Sequence, residues 1–469
     1  MVRRGGPCGR PSNVKTPPIL KQWRDGEVAV IGLARSGVSA CRLLRKLGVR
    51  VYASDNHATP SAELNAGAAA LRAEGCDVEL GGHDPVRIGY AKAVVVSPGV
   101  PPTAFPLRMA AEHGVPVISE LDLGAMCLKA TKLIVTTGTK GKSSTASMIG
   151  AILAANALGP ADVAGNIGLP ISDVALQESP PAWLSVEASS FQLHDCPHLV
   201  PAVGVLTNLS PDHLDRYSGV EDYYADKRLL FRNADAHRRW VTNGDDERVV
   251  AMTAGVAGTQ ERFSLDVPIA DAWYDRTAGW LVLRGMPLLR RADLRLLGDH
   301  NVANALAAAL AVPPEECDRD RIADALRAFE PLHHRLEPVR EVNGVLWVND
   351  SKATTVSAAE SAVRSVGRPV VLLLGGKDKG GDFGALAAAL AGARAVNAYG
   401  EAGERIEKEL KGRAHVVREG NDFGTILDRA RGVAKPGDAV LLSPACSSFD
   451  MFDNAEQRGD VFSSWVRAL

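Results

Sequence analysis

The sequence predicts an α/β protein of three domains. Three observations carry that expectation. From Glu27 onward, short β-branched runs alternate with segments of helical apolar periodicity, the pattern of parallel sheets with crossover helices. Many of the runs end in glycine-rich or polar turns, where open α/β sheets bind ligands. A chain of 469 residues, 46% apolar, is long enough for roughly three cores. The expected divisions are a Rossmann-like domain over residues 25–124 and a central P-loop ATPase-like domain over 125–330, its parallel sheet joined by a small antiparallel one. A second Rossmann-like domain is expected over 331–469. Residues 1–24, basic and rich in Pro and Gly, are expected to be a disordered extension.

In the first domain, residues 28–33 read as a strand that turns through Gly32 and Gly37 into an apolar helix bearing Val38, Cys41, Leu44 and Leu47. Residues 49–53 supply the second strand, ending at Asp55. A glycine turn followed about 20 residues later by an acid is the dinucleotide layout. The spacing, however, is G-x-x-x-x-G rather than G-x-G-x-x-G, so a nicotinamide cofactor and another nucleotide ligand both stay open. Residues 94–96 lead into Ser97-Pro98-Gly99, residues 115–118 give a further strand, and a helix over 121–127 carries the chain onward.

The central domain opens on the most informative stretch, LIVTTGTKGKSST over residues 133–145. Residues 133–136 form a buried strand, Gly138 and Gly141 free the backbone, and Lys142-Ser143-Ser144-Thr145 begins a helix through Met148, Ile149 and Ile152. Strand, glycine loop and helix N-terminus make a phosphate cradle: loop N–H groups and the helix dipole face the anion, Lys142 reaches the outer phosphates, and the Ser143 hydroxyl suits Mg²⁺. The full Walker spacing has Gly where this chain has Thr136, so the loop is a T-G-T-x-G-K-S variant. Residues 182–186 form a strand ending at Glu187, and residues 202–206 one ending near Asn208, before Asp212, His213 and Asp215. A helix with Tyr223 and Lys227 follows. Residues 260–298 alternate as short antiparallel strands, and Asp299 opens an alanine-rich helix containing Asn301 and Asn304.

In the third domain, residues 339–342 and 345–348 flank Asn343-Gly344, a two-residue hairpin signal. The strand over 370–374 ends in a glycine-rich loop containing Lys377 and Lys379, and the strand over 439–442 runs into Ser443–Ser448.

Composition limits the function classes. A net charge of −2 gives no electrostatic basis for binding nucleic acid or an anionic membrane. No apolar run reaches the ~18 residues of a membrane span. The seven scattered cysteines lack a C-x-x-C pair, which points to a reduced cytoplasmic compartment without a disulfide framework or zinc site.

By residue chemistry, Glu187 after a strand is placed to share Mg²⁺ with Ser143, and His213 between two aspartates is a candidate second metal ligand. Asn301 and Asn304, three apart on a helix, present their amides on one face. Arg335 adds a cation, while Asp350 with Lys352, and Lys377 with Lys379, are two candidate anion sites. Lys227, on a helix face with Tyr223 and Leu230, reads by pattern alone as a solvated lysine. Two alternative readings are a nicotinamide dehydrogenase, which leaves residues 133–145 unexplained, and a nucleotide-driven switch or binding protein that is not an enzyme.

The ordered motifs TGTKGKSS (137–144), GNIG (165–168), EASSFQL (187–193), TNLSPDHLDRY (207–217), YYADK (223–227), HNVANALAA (300–308), HHRLE (333–337), NDSKAT (349–354), LGGKDKG (374–380) and SPACSSFDMF (443–452) resemble those of the Mur ligases. These are ATP-dependent amide ligases of peptidoglycan precursor synthesis. The versions at 333–337, 349–354 and 443–452 are most similar to the D-glutamate-adding branch; a sibling using another amino acid, or a folylpolyglutamate-type ligase, is the alternative. The resemblance implies that Gly32, Leu33, Ala34, Arg35, Ser36, Gly37, Asp55 and Ser97 hold a uridine diphosphate. Asn166, Gln192 and His213 would line the path of the UDP-N-acetylmuramoyl-L-alanine substrate. ATP would lie on Gly138, Thr139, Lys140, Gly141, Lys142, Ser143 and Ser144, with Asn301, Asn304, Arg335 and Asp350. D-Glutamate would meet Lys352, Thr354, Lys379, Ser448 and Phe449. Two Mg²⁺ ions would be held, one by Ser143 and Glu187, the other by His213 and a carbamylated Lys227. Lys142, Glu187, His213 and Lys227 would be the catalytic set, working through an acyl phosphate. The resemblance further implies a cytoplasmic monomer acting on small molecules, with no nucleic acid and no membrane insertion. Lys140, Phe449 and Ala455 depart from the family's commonest residues.

Overall fold

The computed structural model describes residues 18–212, 216–268 and 270–469. Its first sheet contains β1 (Glu27–Ile31), β2 (Arg50–Asp55), β3 (Asp77–Leu80), β4 (Ala93–Val96) and β5 (Val117–Ser119), ordered β3-β2-β1-β4-β5. All its pairings are parallel. The central strands are apolar along their length because helices cover both faces, so no alternation is needed. Chain order reverses between β1 and β4, and the turns leaving these strands, at Gly32 and Ser97, flank that switch point.

The expectation of disorder through residue 24 is corrected in its described part. Pro18–Gln22 is helical, and Leu20 and Trp23 are buried in the first domain's core, where two large apolar side chains repay the ordering of a short segment. Residues 1–17 lie outside the described residues.

The second sheet has nine strands: β6 (Lys132–Thr137), β7 (Ala164–Gly165), β8 (Trp183–Glu187), β9 (Val203–Leu206), β10 (Arg239–Asn243), β11 (Thr259–Ser264), β12 (Ala272–Asp275), β13 (Trp280–Leu283) and β14 (Met286–Arg290). Strand β6 sits between β8 and β9 and is parallel to both. The antiparallel strands of the 260–298 region are present from β12 onward, but β11 runs parallel to β10, and β12 joins β11 at Phe263↔Ala272. They therefore continue the main sheet. Between the first two sheets runs the helix Glu120–Cys127, which packs so closely on the helix Ile171–Leu176 that a Cβ on Gly124 would stand 2.5 Å from Ile171 Cγ2.

The third sheet contains β15 (Glu337–Val342), β16 (Val345–Asn349), β17 (Val370–Gly375), β18 (Ala395–Tyr399), β19 (Val416–Arg418) and β20 (Ala439–Leu442), ordered β15-β16-β20-β17-β18-β19. Only β15 is antiparallel, turning into β16 through Asn343 and Gly344 at φ 51° and 77°, the two left-handed residues of a type I′ hairpin.

The chain forms two compact units: residues up to Leu288 with Asn304–Leu326, and Leu289–Ala303 with Arg327–Leu469. Residues 289–303 were expected in the central domain. They cluster instead with the third sheet's unit, where the Ser365 hydroxyl lies 3.1 Å from His300 Nδ1. Among the described residues, no helix is long and apolar enough to cross a membrane.

Candidate active site

Strand β6 extends through Thr137, pairing Thr136 with Glu187 and Thr137 with Leu206. Position 136, where a Walker loop has glycine, is thus still strand, and the loop begins at Gly138. A Cβ on Gly138 (φ +145°) would stand 1.9 Å from Thr207 Oγ1, and one on Gly141 (φ +82°) 2.3 Å from Asn304 Oδ1. Both glycines are required by conformation and by space. Residues after β9 fix the loop. Thr207 Oγ1 and Asn208 Nδ2 donate to the Lys140 carbonyl (2.6 and 2.9 Å), while the Lys140 N–H donates to Asn208 Oδ1 (2.9 Å). The Thr139 N–H donates to the Asn208 carbonyl (2.9 Å). Gly141 caps the helix Lys142–Ala155, whose buried Met148, Ile149, Ile152 and Leu153 anchor it with its positive end at the loop. Lys142 Nζ donates to the Thr139 carbonyl (2.8 Å), and Ser143 is buried on the first turn.

Lys227 is only 1% exposed, which overturns the solvated reading. The helix Val220–Arg228 turns it inward with Tyr223, whose ring lies 4.4 Å from Nζ, and Nζ donates to the Gly138 carbonyl at 2.7 Å. Burial, then the Lys142 charge, hold its ammonium well below the ordinary lysine range. Glu187 is also 1% exposed, on the carboxyl end of β8. Its Oε1 accepts from Asn166 Nδ2 (2.8 Å), but buried Oε2 has no hydrogen-bond partner. A desolvated carboxylate oxygen left unsatisfied is what a bound cation remedies, so the chemistry of Glu187 fits an oxygen-ligated Mg²⁺, with the Ser143 hydroxyl a second oxygen of the same kind. Among the described residues, no three His, Cys, Asp or Glu side chains gather as a metal cluster. The remaining ligands would be oxygens of phosphate or of a modified Lys227, or an imidazole nitrogen of His213, which lies outside the described residues.

The first sheet supplies a second cradle. Gly32 (φ +86°) turns the chain into the helix Arg35–Lys46, and a Cβ on Gly37 would fall 1.9 Å from the Gly32 carbonyl oxygen. Ala34 is the N-cap residue, so Arg35, Ser36 and Gly37 form the first turn. The Leu33 N–H donates to Asp55 Oδ2 (2.9 Å), and Ser97 Oγ donates to the Gly32 carbonyl (2.8 Å). Burial pushes the Asp55 carboxyl up, but the Leu33 N–H and His57 outweigh it and hold it below its ordinary value. Asp55 and Ser97 therefore brace the glycine turn. Arg35 reaches the Gly168 carbonyl (3.1 Å), tying this cradle to the central domain.

A cavity of about 310 Å³ lies between these parts, lined by Ser97, Val100, Phe191, Gln192, Tyr217 and Asp226 among others. Gln192 Oε1 closes a capping box on Ser189, leaving its buried Nε2 without a hydrogen-bond partner. The wall is also acidic: burial pushes the Asp195 carboxyl up to about 6.

In the other unit, Asp350 is buried after β16, accepting from the Leu336 N–H (3.1 Å) and the Ser443 hydroxyl (2.9 Å), and burial pushes its carboxyl up to about 7. Arg335 lies close enough to favour its charged form. Lys352 pairs with Glu456 (3.2 Å), and Thr354 follows it, half-buried. Ser448 is buried after β20, whereas Lys379 is exposed and Phe449 is 67% exposed. The two asparagines of the helix Asp299–Ala311 divide between the units: Asn304 accepts from Thr145 Oγ1 (3.2 Å) in the first, and Asn301 Nδ2 donates to the Leu297 carbonyl (2.9 Å) in the second.

Sequence reasoning placed the loop, Glu187 and the first-sheet turn, but gave no role to Thr207 and Asn208. Their signal was available in part, since both follow the carboxyl end of the strand predicted over 202–206; that this strand pairs with β6 beside the loop is seen only in the fold.

Three family models match the chain: Mur ligase MurD-like, N-terminal domain, over residues 26–119; Mur ligase middle domain over 136–312; and Mur ligase, glutamate ligase domain, over 334–446. The UDP-N-acetylmuramoylalanine–D-glutamate ligase of Salinibacter ruber is 40% identical, covering 97% of this chain and 100% of its own. The enzyme of that name from Acidobacterium capsulatum is 37% identical over 94% and 96%. The MurF ligase of Thermotoga maritima, solved with ADP, shares the fold with a TM-score of 0.59 at 15% identity, covering 96% of this chain and 99% of its own.

Proposed function

Because this chain belongs to the Mur ligase family, we propose that it joins D-glutamate to the carboxylate of UDP-N-acetylmuramoyl-L-alanine at the expense of ATP. The observation that carries the reading is the grouping of a phosphate loop with two buried, oppositely suited groups: Glu187 with an unsatisfied oxygen and Lys227 on the Gly138 carbonyl. The names of the relatives supply the substrates.

A carboxylate does not accept an amine at neutral pH, so the alanyl carboxylate must first be activated. Its oxygen attacks the γ-phosphorus of ATP, giving an acyl phosphate and ADP. Loop N–H groups, the helix end at Lys142 and the Lys142 ammonium bind and orient the phosphates and stabilise the charge that develops on them. Ser143 and Glu187 would hold one Mg²⁺ and a carbamylated Lys227 with His213 the other; bound Mg²⁺ neutralises phosphate charge. A lysine kept neutral by burial is the form that adds CO₂, and the carbamate turns a cation into an anionic ligand. The D-glutamate amine then attacks the acyl carbon, and the tetrahedral intermediate expels phosphate. His213 is the candidate base for the amine proton. The first-sheet turn would carry the uridine diphosphate, the cavity beside Gln192 the muramoyl-alanine arm, and Asn301, Asn304, Arg335 and Asp350 the rest of ATP. Lys352, Thr354, Lys379, Ser448 and Phe449 would receive the amino acid. The enzyme would act on these small molecules in the cytoplasm, as a monomer.

The test is a panel of D- and L-amino acids offered with UDP-N-acetylmuramoyl-L-alanine, ATP and Mg²⁺, following ADP release and product mass. D-Glutamate is expected to be the preferred acceptor. Equal or greater turnover with another amino acid, or ADP release without amide, contradicts the reading.

A further inference from the structure

Arg458 is fully buried, one turn into the helix Ala455–Arg467, on the same stripe as Phe462 and Val466. Its fork holds two loops together. Nε donates to Ser351 Oγ (2.9 Å), Nη2 to the carbonyls of Ser351 (2.9 Å) and Cys446 (3.2 Å), and Nη1 to the Ser447 carbonyl (3.3 Å). A third loop presses on it: a Cβ on Gly376 would stand 3.2 Å from Nη1. The three loops leave the carboxyl ends of β16, β20 and β17, adjacent strands of one sheet.

Every hydrogen-bond acceptor of this guanidinium is neutral, and among the described residues no carboxylate stands within ion-pair distance of it; the Asp450 carboxylate lies at the neighbouring Gly376–Gly400 turn, where its buried Oδ1 has no hydrogen-bond partner. Removing a full charge from water without a countercharge is costly, and an apolar side chain of similar volume would fill the position at lower cost. The neighbouring Lys352 already has a partner in Glu456, so it leaves little surplus charge. A cation without an ion-pair partner under Ser351, Gly376 and Cys446–Ser447 therefore biases this loop cluster towards an anionic ligand carrying more than one negative group, beyond what Asp450 offsets.

We propose that Arg458 is a positioning residue of the amino-acid site and sets its preference for a doubly negative amino acid over a singly negative one. This rests on the assignment of D-glutamate to these loops. The guanidinium touches no substrate in this account; it fixes the loops that do, and lends them its charge.

The experiment measures kcat/KM for D-glutamate and D-glutamine, with the KM of ATP, in the unsubstituted enzyme, R458K and R458Q. R458Q is expected to raise the KM of D-glutamate by about tenfold or more and narrow the D-glutamate over D-glutamine ratio by a similar factor, with the KM of ATP held within about twofold. R458K, which keeps the charge and loses the fork, should weaken D-glutamate binding but retain the ratio. An unchanged ratio in R458Q, or losses shared equally by both amino acids and ATP, overturns the proposal. Should R458Q fail to fold, R458K decides: a ratio that collapses with the charge intact overturns it. Absence of D-glutamate turnover in the unsubstituted enzyme would instead fault the proposed function.

Discussion

Lys227 shows where sequence pattern and structure part. Its helix carries Glu221, Asp222, Asp226 and Arg228 around it, so by composition any lysine there is a solvated one. Only the packing of Tyr223 against it and the proximity of Gly138, 89 positions away in sequence, reveal its burial, and periodicity encodes neither. The proposed carbamate makes a specific demand. Lys227→Ala is expected to lose amide formation and to recover part of it when short carboxylic acids are added; an inactive variant indifferent to acetate or formate removes support for the carbamate. Lys142→Ala and Glu187→Ala are each expected to reduce ADP release by 10³-fold or so while leaving the thermal midpoint nearly unchanged. Near-normal turnover in either variant contradicts the assigned roles.

At the scale of elements, the phosphate loop was legible because its glycines, Lys142 and Ser143 follow a β-branched run. The strand's extension through Thr137 was not, since Thr136-Thr137 is as compatible with strand as with loop until β8 and β9 pair with it. Gly141→Ala is expected to raise the KM of ATP and lower stability by about 1–3 kcal/mol, from a left-handed cap and contact with Asn304. An unaltered KM of ATP and melting temperature would show that the loop tolerates a side chain there. The helix Glu120–Cys127 was read correctly as a connector, but its two buried acids were invisible to pattern. Burial raises the Glu120 carboxyl to about 7 from an ordinary 4.5, opposed by the Ser172 N–H. The folded state thus holds this proton more tightly than the unfolded chain, so the associated stability is full below about 4.5 and lost as pH rises through about 7. Glu120→Gln should flatten the fall in melting temperature between pH 5 and 8; parallel melting curves for the two proteins would contradict this.

For the whole molecule, the alternation of strand and helix signals gives the parallel α/β class, and the Asn343-Gly344 hairpin marks the one antiparallel edge of the third sheet; the strand orders are set by pairing, which that alternation does not encode. What the pattern hid is the division into units, because the boundary falls inside the helix Asp299–Ala311, whose apolar face runs unbroken across it. The buried Arg458 was hidden for the opposite reason: a charged residue on an apolar stripe reads as an interruption of it rather than as a charge placed for use. The proposed function rests on one chemical claim, that the alanyl carboxylate is phosphorylated before the amine arrives. The direct measurement uses UDP-N-acetylmuramoyl-L-alanine labelled with ¹⁸O in that carboxylate and follows inorganic phosphate by mass. An acyl phosphate predicts one ¹⁸O in each phosphate released; phosphate free of label, with amide still formed, would contradict the account.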